Sequence, residues 1–153
     1  MLSTVISLVP FSREEPFKLV GIGADDSVVA GALRASFPCA TLVTVDGSEP
    51  KLKTLDWWDV MFGADLVLAW MCLHRLNDAK KQYLCKAIVD RLSGRGLFLV
   101  ADRMEPQQLL PHLIWLKHAG FPIVDCFWLR DRQAVFGGFM QAAVSALPPR
   151  AGS

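Results

Sequence analysis

Apolar residues in this chain follow two alternating rhythms. Phe17–Ile22, Thr41–Val45, Ala64–Met71 and Gly96–Ala101 are short, mainly apolar runs, as expected of strands covered on both faces. Between them apolar residues recur at helical spacing. Val28, Val29, Ala32, Leu33 and Phe37 mark one helix, and Tyr83, Leu84, Ala87, Ile88 and Leu92 mark another. Gly31 inside the first suits close packing of helix on sheet, at a cost of about 1 kcal/mol against Ala. Asn77 or Asp78 caps the second, and Gly94 is placed to end it in a left-handed conformation. A third helix is expected over His112–Ala119, with Pro111 in its first turn and Gly120 beyond its end. Ile123–Leu129, Arg130-Asp131-Arg132 and Gln133–Met140 read as a hairpin. Alternating βαβ units closed by a hairpin predict a three-layer, doubly wound α/β fold, mostly parallel with an antiparallel C-terminal hairpin.

The order over Lys18–Asp46 carries the chemistry. A strand runs into Gly21-Ile22-Gly23-Ala24-Asp25-Asp26, then a helix, then a second strand that ends on Asp46. A doubly wound sheet binds ligands where its strands end. The first turn lets backbone approach a nucleotide-type cofactor, and an acid after the second strand accepts ribose hydroxyls.

The chain has 153 residues, enough for one domain that buries roughly two thirds of its unfolded surface. The expected division is a domain over 1–146 and a flexible Pro/Gly/Ser-containing tail over 147–153. The net charge of +1 argues against nucleic acid and anionic membrane as partners, and Lys51/Lys53 and Lys80/Lys81 read as solvated faces. Cys39, Cys72, Cys85 and Cys126 lack paired spacing. They predict free thiols, no metal cluster and a cytoplasmic setting. The apolar start, Met1–Pro10, lacks the basic residues and cleavage site of a signal peptide. Leu66–Leu73, the longest apolar stretch, falls far short of the roughly 20 residues that span a bilayer.

Four segments, in order, resemble the class I S-adenosylmethionine (SAM)-dependent methyltransferases, particularly the small-molecule, trans-aconitate methyltransferase-like type. They are Leu19–Pro38, Val45-Asp46-Gly47-Ser48, Ala64–Val67 running on to Leu73-His74-Arg75-Leu76, and Leu92–Phe98. Trp115–Phe121 and the hairpin through Gly137-Gly138 extend the likeness over most of the chain. The resemblance implies a Rossmann-like sheet, SAM as cofactor and a small-molecule methyl acceptor. Three departures stand out. Gly21 replaces an acid, the glycine-rich turn reads Gly23, Asp25, Ser27, and only one crossover fits between Asp46 and Ala64. The sheet is therefore expected to lack one edge strand, which leaves an edge for a homodimer or partner protein to cover.

On this resemblance Gly21, Gly23, Ala24, Asp46 and Gly47 line the cofactor. Asp25 either joins them or caps the next helix together with Asp26. Trp57, beside Trp58, either stacks on the adenine or covers the sheet edge. Trp70 either lines the cleft or packs in the core. His74 is the candidate general base, against a structural role, with Asp102 in second rank at a strand end. Trp115, Trp128 and the methionines are assigned to packing, and His112 and His118 to helix surface. Two other readings stand beside methyl transfer. One is a non-catalytic methyltransferase-like domain that binds a ligand or partner. The other is a nicotinamide-dinucleotide domain, although Asp26 occupies the place of its last glycine.

Overall fold

The computed structural model describes residues 1–24, 27–48 and 59–141. Its elements are α1 (Leu2–Leu8), β1 (Lys18–Ile22), α2 (Ser27–Ser36), β2 (Thr41–Val45) and β3 (Leu66–Trp70). A 3₁₀ turn (Leu73–Arg75), α3 (Asp78–Arg91), β4 (Leu97–Arg103), α4 (Pro106–Ala119), β5 (Ile123–Arg130) and β6 (Gln133–Phe139) follow. The strands form a six-stranded sheet in the order β2-β1-β3-β4-β6-β5. The first four are parallel, and β6 runs antiparallel to both β4 and β5. Among the described residues no strand lies outside β2, as the short crossover predicts.

Strand alternation divides the core between the two faces. In β4, Leu97, Leu99 and Ala101 join the side of α1 and α2, while Phe98 and Val100 join that of α3 and α4. Burial on both faces is the reason these strands read as unbroken apolar runs. Helix α1, absent from the sequence expectation, seats Val5 fully buried on the α2 side. At the amino ends of the strands, Asp65 accepts from the Lys18 N–H (2.9 Å), Ser93 Oγ (2.7 Å) and Arg95 Nε (3.2 Å). Burial works against its charge, but these donors outweigh it and hold the carboxyl below its ordinary range.

Several sequence expectations are corrected. Helix α3 does begin after Asn77, whose side chain accepts from the Lys80 N–H at 2.9 Å, but it ends at Arg91 with Leu92 extended. Gly94 is not left-handed. Instead Gly63 (φ +75°) turns the chain so that its N–H meets the Arg91 carbonyl at 2.8 Å. Gly31 faces open space rather than the sheet. Helix α4 starts six residues before His112, at Pro106, with the Gln108 side chain accepting from the Glu105 N–H at 3.2 Å. Pro111 therefore lies inside the helix. Its exposed position leaves the carbonyl it cannot satisfy open to water. His112 is buried, not on the surface. Its Nδ1 donates to the Gln108 carbonyl (2.7 Å), and its Nε2 accepts from Lys81 Nζ (3.2 Å). The hairpin turns on Asp131 and Arg132, both at positive φ, the conformation of a type I′ turn. No described helix is long and apolar enough to cross a membrane.

Candidate functional site

Strand β1 has β2 on one side and β3 on the other, so chain direction through the sheet reverses there. Such a switch point opens a crevice, because the connections from neighbouring carboxyl ends leave in opposite directions. A cleft of about 340 Å³ lies at this place. Gly23, Asp46, Gly47, Trp70, Met71, Cys72 and Arg75 line it. Its size is at the lower end for small-ligand sites.

The floor is built by close backbone approach. The Gly23 N–H bonds the Val45 carbonyl at 2.9 Å and ties the turn after β1 to the end of β2. A Cβ on Gly23 would stand 2.5 Å from the Trp70 carbonyl oxygen, and Gly23 itself has φ +74°. A Cβ on Gly47 would stand 2.8 Å from Gly23 Cα and 2.9 Å from Cys72 Cβ. Both positions therefore admit only glycine without movement, and both present bare backbone to the cleft. Met71 has φ 51°, a left-handed conformation that a long side chain seldom adopts. Its N–H reaches the Ala101 carbonyl at 2.8 Å, which fixes the strained residue at the cleft wall.

The residues expected to serve the site are only partly brought together. Gly23, Asp46, Gly47 and Trp70 share the cleft. Asp46 is exposed, and one of its oxygens, Oδ1, accepts from the Ser48 N–H at 2.8 Å. Gly21 is buried within β1, and the Ala24 side chain is buried in the core on the α2 side, so neither lines the cleft. Asp25, Asp26, Trp57 and Trp58 lie outside the described residues.

His74 stands in the 3₁₀ turn after β3, beside the cleft rather than on its lining. Asp102 lies in β4 and is 1% exposed. It accepts from the His74 N–H (3.0 Å), His74 Nδ1 (2.6 Å) and the Arg103 N–H (2.7 Å). A carboxylate at Nδ1 places the imidazole proton there and leaves Nε2 with the free lone pair, the arrangement of a general base. Strand β4 extends to Arg103, so Asp102 lies at the strand end as expected and is buried there.

Sequence reasoning missed Met71, Cys72 and Arg75. Met71 had been assigned to packing, and it lines the cleft instead. The available signal was position, since all three follow within five residues of the end of β3 at the switch point. Cys72 is 1% exposed, and burial pushes its thiol up to about 12, so it is neutral at physiological pH. The nearby Asp102 charge acts in the same direction, and Arg75 opposes it. Among the described residues no group of His, Cys, Asp and Glu is placed to hold a metal ion.

No family model matches the chain, and neither does any curated protein. Solved structures do match. Human methyltransferase-like protein 13 in complex with S-adenosylhomocysteine (SAH) aligns with TM-score 0.68 at 14% identity, over 93% of this chain and 81% of that one. Human N-acetylserotonin methyltransferase in complex with SAM aligns with TM-score 0.67 at 15% identity, over 90% and 51%. A Nostoc punctiforme chain whose suggested activity is O-methyl transfer gives 0.67 at 17%, over 91% and 57%. The structural neighbours are thus SAM-dependent methyltransferases, and at these identities the likeness is one of fold. The chain spans little more than half the length of the Nostoc neighbour.

Proposed function

We propose that this protein is a SAM-dependent methyltransferase acting on a small molecule. The observation that carries this reading is the cleft at the switch point, where Asp46 shares the lining with two glycines whose missing side chains let the segments of its floor close up. Such a cradle fits an adenosyl group. The Asp46 oxygen with no partner among the described residues accepts ribose hydroxyls, Gly23 and Gly47 let the amino-acid portion lie against the chain, and Trp70 supplies an apolar wall. Gly21 and Ala24 act indirectly, by shaping the turn that carries Gly23. Bound SAM supplies a methyl group already activated on a sulfonium.

The chain's own part is alignment, exclusion of water and proton removal. Alignment alone is worth on the order of 7–11 kcal/mol in favourable cases. His74 Nε2 takes the proton of an acceptor hydroxyl, and Asp102 positions the ring. The presence of O-methyltransferases among the structural neighbours supports oxygen as the acceptor atom. The resemblance to trans-aconitate methyltransferase-like proteins supports a small acceptor.

A second reading, a ligand-binding domain without catalysis, draws on one feature: His74 does not itself line the cleft. Calorimetric titration with SAH, on the wild type and on Asp46→Ala, tests the shared core of both readings. Binding by the wild type that weakens about tenfold or more in Asp46→Ala supports it, as expected when a charged acceptor of ligand hydroxyls is lost. Absence of heat at millimolar SAH overturns it. Release of SAH from SAM in the presence of a hydroxylated acceptor then separates enzyme from binding domain.

A further inference from the structure

We propose that Arg75 is the carboxylate-recognition group of the cleft. The inference rests on the methyltransferase reading above and deepens it. Among the described residues Arg75 and Asp46 are the two charged ones that line the cleft. Asp46 already engages the chain through Ser48. Arg75 is exposed, and among the described residues its guanidinium has no ion pair or side-chain hydrogen bond. The side chains of Arg34 and Arg103 are likewise unengaged among the described residues, but neither lines the cleft, and several other arginines are held. Arg95 is held by Asp65 and Glu15, Arg132 by Glu105, and Arg13 by the Ala35 carbonyl. The backbone of Arg75 is fixed by its own N–H on the Cys72 carbonyl at 3.2 Å, within the turn that follows the strained Met71. A planar, permanently charged fork thus stands at the cleft with its donors unused among the described residues, and such a fork takes a carboxylate through two parallel hydrogen bonds.

Charge balance points the same way. Among the described residues Arg75 and Asp46 cancel. The sulfonium and ammonium of SAM then add two positive charges, of which its own carboxylate offsets one and an acceptor carboxylate would offset the other. The carboxylate has two possible sources, the methionine moiety of the cofactor or the methyl acceptor. In both cases Arg75 contacts it directly.

The experiment compares wild type, Arg75→Gln and Arg75→Lys with three probes. SAH carries the methionine carboxylate, and methylthioadenosine has the same adenosyl group without it. Benzoate, added to the SAH-saturated protein and followed by ligand-observed NMR, stands for an acceptor carboxylate. If the cofactor is the source, Arg75→Gln weakens SAH about tenfold and leaves methylthioadenosine unchanged, with Arg75→Lys between. If the acceptor is the source, both nucleosides bind all three proteins alike. Benzoate then binds wild type and is lost from Arg75→Gln. A wild type that binds the nucleosides, with Arg75→Gln matching it on every probe, overturns the assignment of Arg75 alone. A wild type that binds neither nucleoside overturns the methyltransferase reading and this inference with it.

Discussion

Three glycines separate two physical costs, because substitution of each adds a Cβ to a different mixture of backbone strain and crowding. Gly63 has φ +75° but nothing within 4 Å of the added carbon, so Gly63→Ala carries the left-handed penalty alone, about 1–2 kcal/mol. Gly47 has no such φ, but its Cβ would lie 2.8 Å from Gly23 Cα and 2.9 Å from Cys72 Cβ. Those neighbours belong to buried or backbone groups that cannot swing away, so Gly47→Ala is an overpacking change of about 1–3 kcal/mol. Gly23 combines both, with φ +74° and a Cβ 2.5 Å from the Trp70 carbonyl, and Gly23→Ala should cost about 2–5 kcal/mol. Urea denaturation of the four proteins gives the ordering, with Gly23→Ala the least stable. Calorimetry with SAH adds a second readout, since Gly23 and Gly47 line the cleft and Gly63 does not. Gly23→Ala and Gly47→Ala should lose affinity, and Gly63→Ala should keep it. A Gly23→Ala protein no less stable than Gly63→Ala would refute the close-approach argument, and full SAH affinity in Gly23→Ala and Gly47→Ala would refute their place in the cradle.

Asp102→Asn should change the His74 ring: nitrogen NMR is expected to show the Nδ1–H tautomer in wild type and a mixed population in the variant, and an unchanged spectrum would deny Asp102 its positioning role. Burial first, with help from the Lys81 charge, pulls the His112 pKa down against the Gln108 carbonyl, Asp78 and Asp102. In the unfolded chain His112 titrates at about 6.5, so around and below that pH the unfolded state binds more protons than the folded one. Wild-type stability should fall as pH drops from about 6.5 through the lowered folded value, and His112→Phe should lose that part of the slope; parallel stability curves would contradict it. Of the four free thiols, exposed Cys39 should react quickly with a disulfide reagent and half-buried Cys126 slowly. Cys72 and Cys85, both pushed up to about 12 by burial, should react only after unfolding, and rapid labelling of either would contradict the packing.

Much of this architecture was legible in the chain, for reasons visible in particular elements. β2 occupies the expected Thr41–Val45, because a β-branched run bounded by turn residues leaves little choice of register. The start of α4 was misread because Pro106 and Pro111 both suit a first turn, and the polar Gln107 and Gln108 between them look like loop. The burial of His112 did not depend on that start: at i, i+4 and i+7 it shares a face with buried Leu116 and Ala119, and the surface assignment followed the polarity of its ring rather than its position. Asp46 was readable from its place after a strand. The His74–Asp102 pair was not, since it arises from the pairing of β3 with β4, which sets Trp70 beside Ala101. Arg75 and Met71 escaped for a similar reason. Nothing local marks a residue whose importance comes from the turn that aims it into a crevice shared by three strands.

The most direct measurement is a crystal structure of the SAH complex. Adenosyl density is expected in the switch-point cleft, with the ribose hydroxyls on the Asp46 carboxylate and the homocysteine portion against Gly23 and Gly47. SAH bound elsewhere, or a cleft that stays empty at millimolar SAH, would contradict it.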